Sequence, residues 1–335
     1  MMIYADTLAF LAEQGTPPVA SPELKLDLCH VTSAAPFSRK RKGEPPLIEE
    51  TLEEHRGFMT TIVSQPKLRI VRSRADLMNL GSTTKVICGL QMPPADISYT
   101  SLRILKDNGV HVICIAYHED NKFGSGFLNP YGPLTNEGRK FIEWCAEVGM
   151  ILDLCQASHQ TAWDALEHIK SKGINVAVMA SHTGIYGAAD CYNPRNLPKE
   201  IIYEIARLGG VVGIFTLTFG LSSRDNSLNA FFMHLQTAVR SCGIGNVTIG
   251  SDAVYQIRPL ETWQVRYRWL AENIDPQNRL RHRWPDQPLE INGSDILGVI
   301  KQHLESGQNS YIDRPWMIEA LLGLNLWTFF ARNLK

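Results

Sequence analysis

The chain has 335 residues, a formal net charge of -1, 44% hydrophobic and 20% charged residues. That balance gives no long-range field to draw the protein to nucleic acid or an anionic membrane, and no apolar run approaches the ~20 residues of a membrane helix. Seven cysteines at 29, 88, 114, 145, 155, 191 and 242 are an odd number without paired spacing, which argues against a disulfide framework and for a cytoplasmic protein.

In chain order, eight short apolar runs read as buried strands: 1–6, 25–31, 85–91, 111–117, 150–155, 176–181, 211–216 and 247–251. Their Val, Ile and Leu are continuous rather than alternating, as in a parallel sheet covered by helices on its outer side. The intervening segments carry helix signals. Thr135 can cap a helix stopping at Gly149, Ser158 one stopping at Gly173, Asn196-Leu197-Pro198 opens one reaching Gly209, and Ser294 to Gly307 forms another. Strand followed by helix about eight times predicts an α/β fold, a single (β/α)8 TIM-type barrel spanning 1–335 as one domain.

Two stretches interrupt the rhythm. Residues 32–66 hold the basic run Arg39 to Lys42 and the acidic Glu49 to Glu54, expected to be a solvated loop and helix. The second insertion, about 256–290, sets three tryptophans among arginines, which predicts a surface helix and flap or a dimer contact rather than a nucleic-acid surface.

In such a barrel the chemistry sits at the C-terminal strand ends. Those ends here are Asp6, His30, Gln91, His118, Gln156, His182 and Asp252, each following an apolar run. A single strand-end histidine is usually hydrogen-bonded to a neighbouring loop, and Asp252 could merely cap a turn. Seven polar groups together predict a converging site. His159, in the first turn of its helix, and Cys155, expected to pack against helices, are set aside.

The motifs sharpen this expectation. Asn121 with Gly126, Leu134-Thr135-Asn136-Glu137-Gly138-Arg139, Gly149-Met150-Ile151-Leu152-Asp153-Leu154, Ala180-Ser181-His182, Arg195-Asn196 and Gly250-Ser251-Asp252 follow the order of motifs in the membrane (renal) dipeptidase family, which the chain resembles. Tyr4-Ala5-Asp6-Thr7-Leu8 resembles that family's histidine-x-aspartate start.

The resemblance implies a barrel with two zinc ions that hydrolyses dipeptides or related amides. It implies metal ligands at positions 4, 6, 91, 156, 182 and 252, with His118, Arg195 and Asn121 on the substrate. Asp6, His182 and Asp252 fit their positions. Tyr4, Gln91 and Gln156 replace a histidine, a bridging glutamate and a histidine. Two carboxylates and neutral amides compensate two adjacent dications poorly, and amides are weak zinc ligands. At most one zinc or other divalent ion is therefore expected, on Asp6, His182 and Asp252. A metal-free pocket filled by Tyr4, Gln91 and Gln156 is equally open.

Two functions follow. One is a dipeptidase-like hydrolase of a small, carboxylate-bearing amide, with Asp252 as general base and His118 and Arg195 on the substrate. The other is a catalytically inactive, small-ligand-binding or regulatory barrel. The resemblance further implies a homodimer, while the near-zero net charge and the lack of a long apolar run predict no nucleic-acid or membrane partner.

Overall fold

A computed structural model describes residues 2–11, 24–41, 44–79, 81–307 and 311–334. Met1 of the first predicted strand, and Lys42 of the basic run, lie outside them. The eight expected strands form one parallel path: β1 (Ala5–Asp6), β2 (Leu28–Thr32), β3 (Thr84–Leu90), β4 (Val110–Cys114), β5 (Ile151–Asp153), β6 (Val178–Thr183), β7 (Val211–Ile214) and β8 (Val247–Ile249). Pairing runs from each strand to the next. The seam between β8 and β1 is drawn together by Thr7 N–H on Ile249 O at 2.8 Å and by the Thr7 and Thr248 hydroxyls at 2.5 Å, giving a nearly closed TIM-type barrel. An additional short strand, Leu68–Ile70, lies alongside β3.

The helices end where their residues require. Thr135 Oγ1 accepts Gly138 N–H at 3.0 Å to start Asn136–Val148, and Gly149 stops it at φ 72°. Ser158 Oγ accepts Thr161 N–H at 2.9 Å to start His159–Lys172, and Gly173 closes it at φ 62°. Serine and threonine supply the acceptor that a helix start needs, and glycine reaches the left-handed region without a Cβ clash.

The core has two tiers. Outward strand residues such as Cys29, Val31, Val86 and Ile113 pack under the helices. Ala5, Leu28, Ile87, Val112, Ile151, Met179 and Val211 point into the barrel, where Leu326, Phe329 and Phe330 of helix Asn325–Asn333 close its N-terminal end. Between the basic and acidic runs, Arg39 pairs with Glu54 at 2.8 Å and Arg41 with Glu50 at 3.0 Å beside helix Ile48–Val63. The helix leaves its charged residues at the surface and buries Thr51, His55, Met59 and Ile62. The second insertion does form a helix, Leu260–Asn273, but it lies over the C-terminal mouth: Trp269, Leu270 and Ile274 pack with Phe127, Phe215 and Leu217.

Candidate functional site

The C-terminal strand ends bring together Gln156, His182, Arg195 and Asp252, with His30 and His118 nearby. Gln91, directly after β3, is buried at the same end. His182 is fully buried, and Gln156 Nε2 donates to its Nε2 at 3.0 Å. Its Nδ1 lies 2.7 Å from Ser181 Oγ and 3.4 Å from Cys155 Sγ. Burial first, then the charges of Arg195 and His30, hold His182 well below the usual imidazole range, so the ring is neutral.

The Arg195 side chain lies between the rings of Phe127 and Phe215, at 5.4 and 5.5 Å, and donates to Cys155 O and His182 O at 2.5 and 3.0 Å. It therefore ties the end of β5 to the end of β6, while its charge reaches the site. Asp252 follows β8 in a left-handed conformation, φ 52°, which a short polar side chain tolerates. Its N–H donates to Leu8 O at 2.9 Å, and its carbonyl accepts Gln287 Nε2 at 3.0 Å. Burial pushes its carboxyl up to about 6, against the pull of Arg266 and Arg195.

Among the described residues, the buried atoms without a hydrogen-bond partner include three at these strand ends: His30 Nε2, His118 Nδ1 and Gln156 Oε1. His30 Nδ1 meets Thr7 O at 2.7 Å, while Nε2 faces Gly89, where a Cβ would stand 2.2 Å away. His118 sits edge-on to Phe37 and Tyr117, each at 5.2 Å, and burial lowers its pKa.

Other expected members stand elsewhere. Strand alternation puts Tyr4 and Asp6 on the side opposite Ala5, whose side chain is in the barrel interior. Tyr4 lines a depression with Met2, Lys25, Asp27 and Thr84 at the N-terminal strand ends, far from the mouth, so it cannot fill space vacated by a ligand. Asp6 Oδ1 accepts Leu8 and Ser251 N–H, each at 3.0 Å, and Oδ2 accepts Tyr255 O–H at 2.6 Å. Both oxygens thus serve the β1–β8 seam, and burial pushes the carboxyl to about 7.

Asp153 is used alike on β5: its Oδ1 accepts Cys155 and Ser181 N–H at 3.0 Å each. Asn121 shapes its own loop, accepting Phe123 and Gly124 N–H at 2.7 and 3.1 Å and donating to Ile115 O at 2.9 Å. His159 Nε2 meets Asn196 O at 2.8 Å, beside the segment that carries Arg195. Cys155 is buried, and its sulfur meets His182 Nδ1 at 3.4 Å and Ser181 Oγ at 3.3 Å rather than only helix residues.

Asp6, His182 and Asp252 do not gather as a metal trio. Among the described residues, the histidine, cysteine and acidic ligand atoms that all lie within 4.8 Å of one another in a group of three belong to Cys114, Asp153 and Cys155. Sequence reasoning missed Arg266. It pairs with Asp286 at 2.7 Å, lies 5.7 Å from the Phe10 ring and reaches Asp252 O at 3.4 Å. The one available signal was the arginine-tryptophan pattern of its helix.

The structure is a TIM-type barrel with histidine, glutamine and aspartate at the C-terminal ends of its strands. A family model for the membrane dipeptidases, Peptidase family M19, matches residues 18–274, and the chain belongs to that family. Dipeptidase 3 of Rattus norvegicus is 27% identical over 256 residues, 71% of this chain and 48% of the relative. An uncharacterized dipeptidase of Schizosaccharomyces pombe is 27% identical over 192 residues, 54% and 44% of the two chains. The chain thus spans about half the length of these curated relatives.

Among solved structures, an amidohydrolase from Pseudomonas aeruginosa superposes with a TM-score of 0.76 at 18% identity, covering 99% of this chain and 96% of that one. A metallo peptidase from Rhodobacter sphaeroides, liganded with a phosphinate mimic of L-Ala-D-Ala, gives 0.74 at 15% identity, covering 99% of each. At such identities the likeness concerns the fold. Family membership implies a divalent metal, zinc, and the pocket donors fit that poorly: His182 Nε2 faces an amide N–H, and both Asp6 oxygens are engaged by protein donors.

Proposed function

We propose that the chain is a dipeptidase-like hydrolase of small, carboxylate-bearing amides, with a degenerate metal centre that holds at most one divalent ion. Asp252 carries the reading. A carboxyl pushed up to about 6, beside Arg195 and Arg266, is ionised at neutral pH and basic enough to take a proton from water. The water oxygen attacks the amide carbonyl as its proton passes to Asp252; collapse of the tetrahedral adduct then breaks the C–N bond, and Asp252 returns the proton to the leaving amine, which departs from the acid product. Neutral His118 presents its unpartnered Nδ1 to the substrate, and Arg195 supplies positive charge for a carboxylate.

The degenerate centre is supported by the amide on His182 and by Gln91 at the bridging position, which has no charge to set between two dications. The test is turnover of dipeptides, dehydropeptides and N-acyl amino acids, with and without added zinc, manganese or cobalt, alongside metal content. Turnover lost in Asp252→Asn, with no more than one ion at the Asp252 end of the strands, is expected. Two tightly held ions a few ångströms apart at that end would overturn the reading of the centre.

A second reading, a small-ligand-binding barrel without turnover, is favoured by the unpartnered Gln156 Oε1, His30 Nε2 and His118 Nδ1, which a bound polar ligand would satisfy. Saturable dipeptide binding by calorimetry without cleavage separates it from the first.

A further inference from the structure

On the Nδ1 edge of the His182 ring, away from the Gln156 amide, Cys114 at the end of β4 faces Cys155 just beyond β5. The sulfurs are 3.9 Å apart, and a carboxylate oxygen of Asp153 lies within 4.8 Å of both. All three residues are buried. The proposed hydrolysis uses none of them.

We propose that Cys114, Cys155 and Asp153 form a buried structural zinc site, separate from the pocket at Asp252, that joins the C-terminal ends of β4 and β5 beneath His182. The spacing matches the ion. Two sulfurs at about 2.3 Å from a tetrahedral zinc stand about 3.8 Å apart, and a sulfur and a nitrogen about 3.6 Å. Cys114 and Cys155 are separated by 3.9 Å, and Cys155 Sγ lies 3.4 Å from His182 Nδ1, which marks the side of the fourth corner.

Soft thiolates select zinc over the hard cations that carboxylates alone would bind. Charge also balances. Two thiolates and one carboxylate offset the dication together with Arg195, which is anchored on Cys155 O and His182 O. On binding, each thiol releases its proton to solvent and no electron moves. The Asp153 carboxylate is already fixed by Cys155 and Ser181 N–H at 3.0 Å, so one ligand is pre-positioned.

The test uses the full chain, expressed with zinc and purified under reducing conditions. One zinc per chain is expected, with two sulfur neighbours by X-ray absorption at the zinc edge. Cys114→Ser and Cys155→Ser should each lose it, whereas Cys242→Ser and Asp252→Asn should keep it. Zinc-free protein, a shell without sulfur, zinc lost in Asp252→Asn, or a Cys114–Cys155 disulfide by non-reducing mass spectrometry would each overturn the site. If the serine variants do not fold, the sulfur count in the unmodified chain decides alone. Absence of dipeptide turnover leaves this result untouched, so the two proposals fail separately.

Discussion

Nε2 of His182 stands 3.0 Å from the amide nitrogen of Gln156, with Ser181 Oγ 2.7 Å from Nδ1 of the same ring. The amide donates and the ring nitrogen accepts, which places the imidazole proton on Nδ1. In protein stripped of zinc, nitrogen NMR of labelled His182 should show a neutral ring with its proton on Nδ1, since burial and Arg195 disfavour the cation. A ring that titrates near pH 6.5 would contradict the contact.

For Asp252 the expectation concerns rate. If its carboxylate is the base, turnover rises as pH climbs through about 6 and levels off above, because only the ionised form accepts a proton. Asp252→Asn should cost roughly 100-fold or more in kcat and flatten that limb. A full pH profile for both proteins decides it.

Asp6 makes a prediction about stability. Its carboxyl, about 7 in the fold against 3.8 ordinarily, holds a proton more tightly folded than unfolded. Its contribution is therefore full below about pH 4 and is lost as pH rises to 7. Asp6→Asn carries no such dependence. Between pH 4 and 8 the difference in unfolding free energy should shift toward the variant by a few kcal/mol, at about 1.4 kcal/mol per unit. Denaturant titrations showing a constant difference would rule this out.

Arg195→Lys should be destabilising although charge is kept. The guanidinium reaches Cys155 O and His182 O together, between Phe127 and Phe215. A lysine cannot span that fork, and a buried carbonyl left unpaired costs about 1–3 kcal/mol. Urea midpoints that coincide for the two proteins would show that the clamp has no structural weight.

Gly89→Ala would place a Cβ 2.2 Å from His30 Nε2 and 3.0 Å from Val112 Cβ. Overpacking of this kind costs about 1–3 kcal/mol. Most of that cost should disappear in a His30→Ala background, which a double-mutant cycle measures.

The barrel was readable from the chain because its strands are buried on both faces and its helices end on Thr135, Gly149, Ser158 and Gly173. The same double burial hid which way each strand residue points, since no polar alternation marks the inner face. Tyr4 and Asp6 were therefore assigned to the mouth, whereas the two-residue β1 turns both away from the interior. Asn121 read as a substrate contact because its motif does, yet its amide is taken by its own loop. Arg266 was hidden for another reason: only the tertiary fold brings helix Leu260–Asn273 over the site.

Phe329 and Phe330 stop the lower end of the barrel, with Lys85 Nζ 5.9 Å from the Trp327 ring beside them. The barrel is therefore a cup rather than a tube. With that end stopped, the strand ends that carry Asp252 and His182 can be approached only from the face that helix Leu260–Asn273 covers, so whatever arrives and whatever departs share that face.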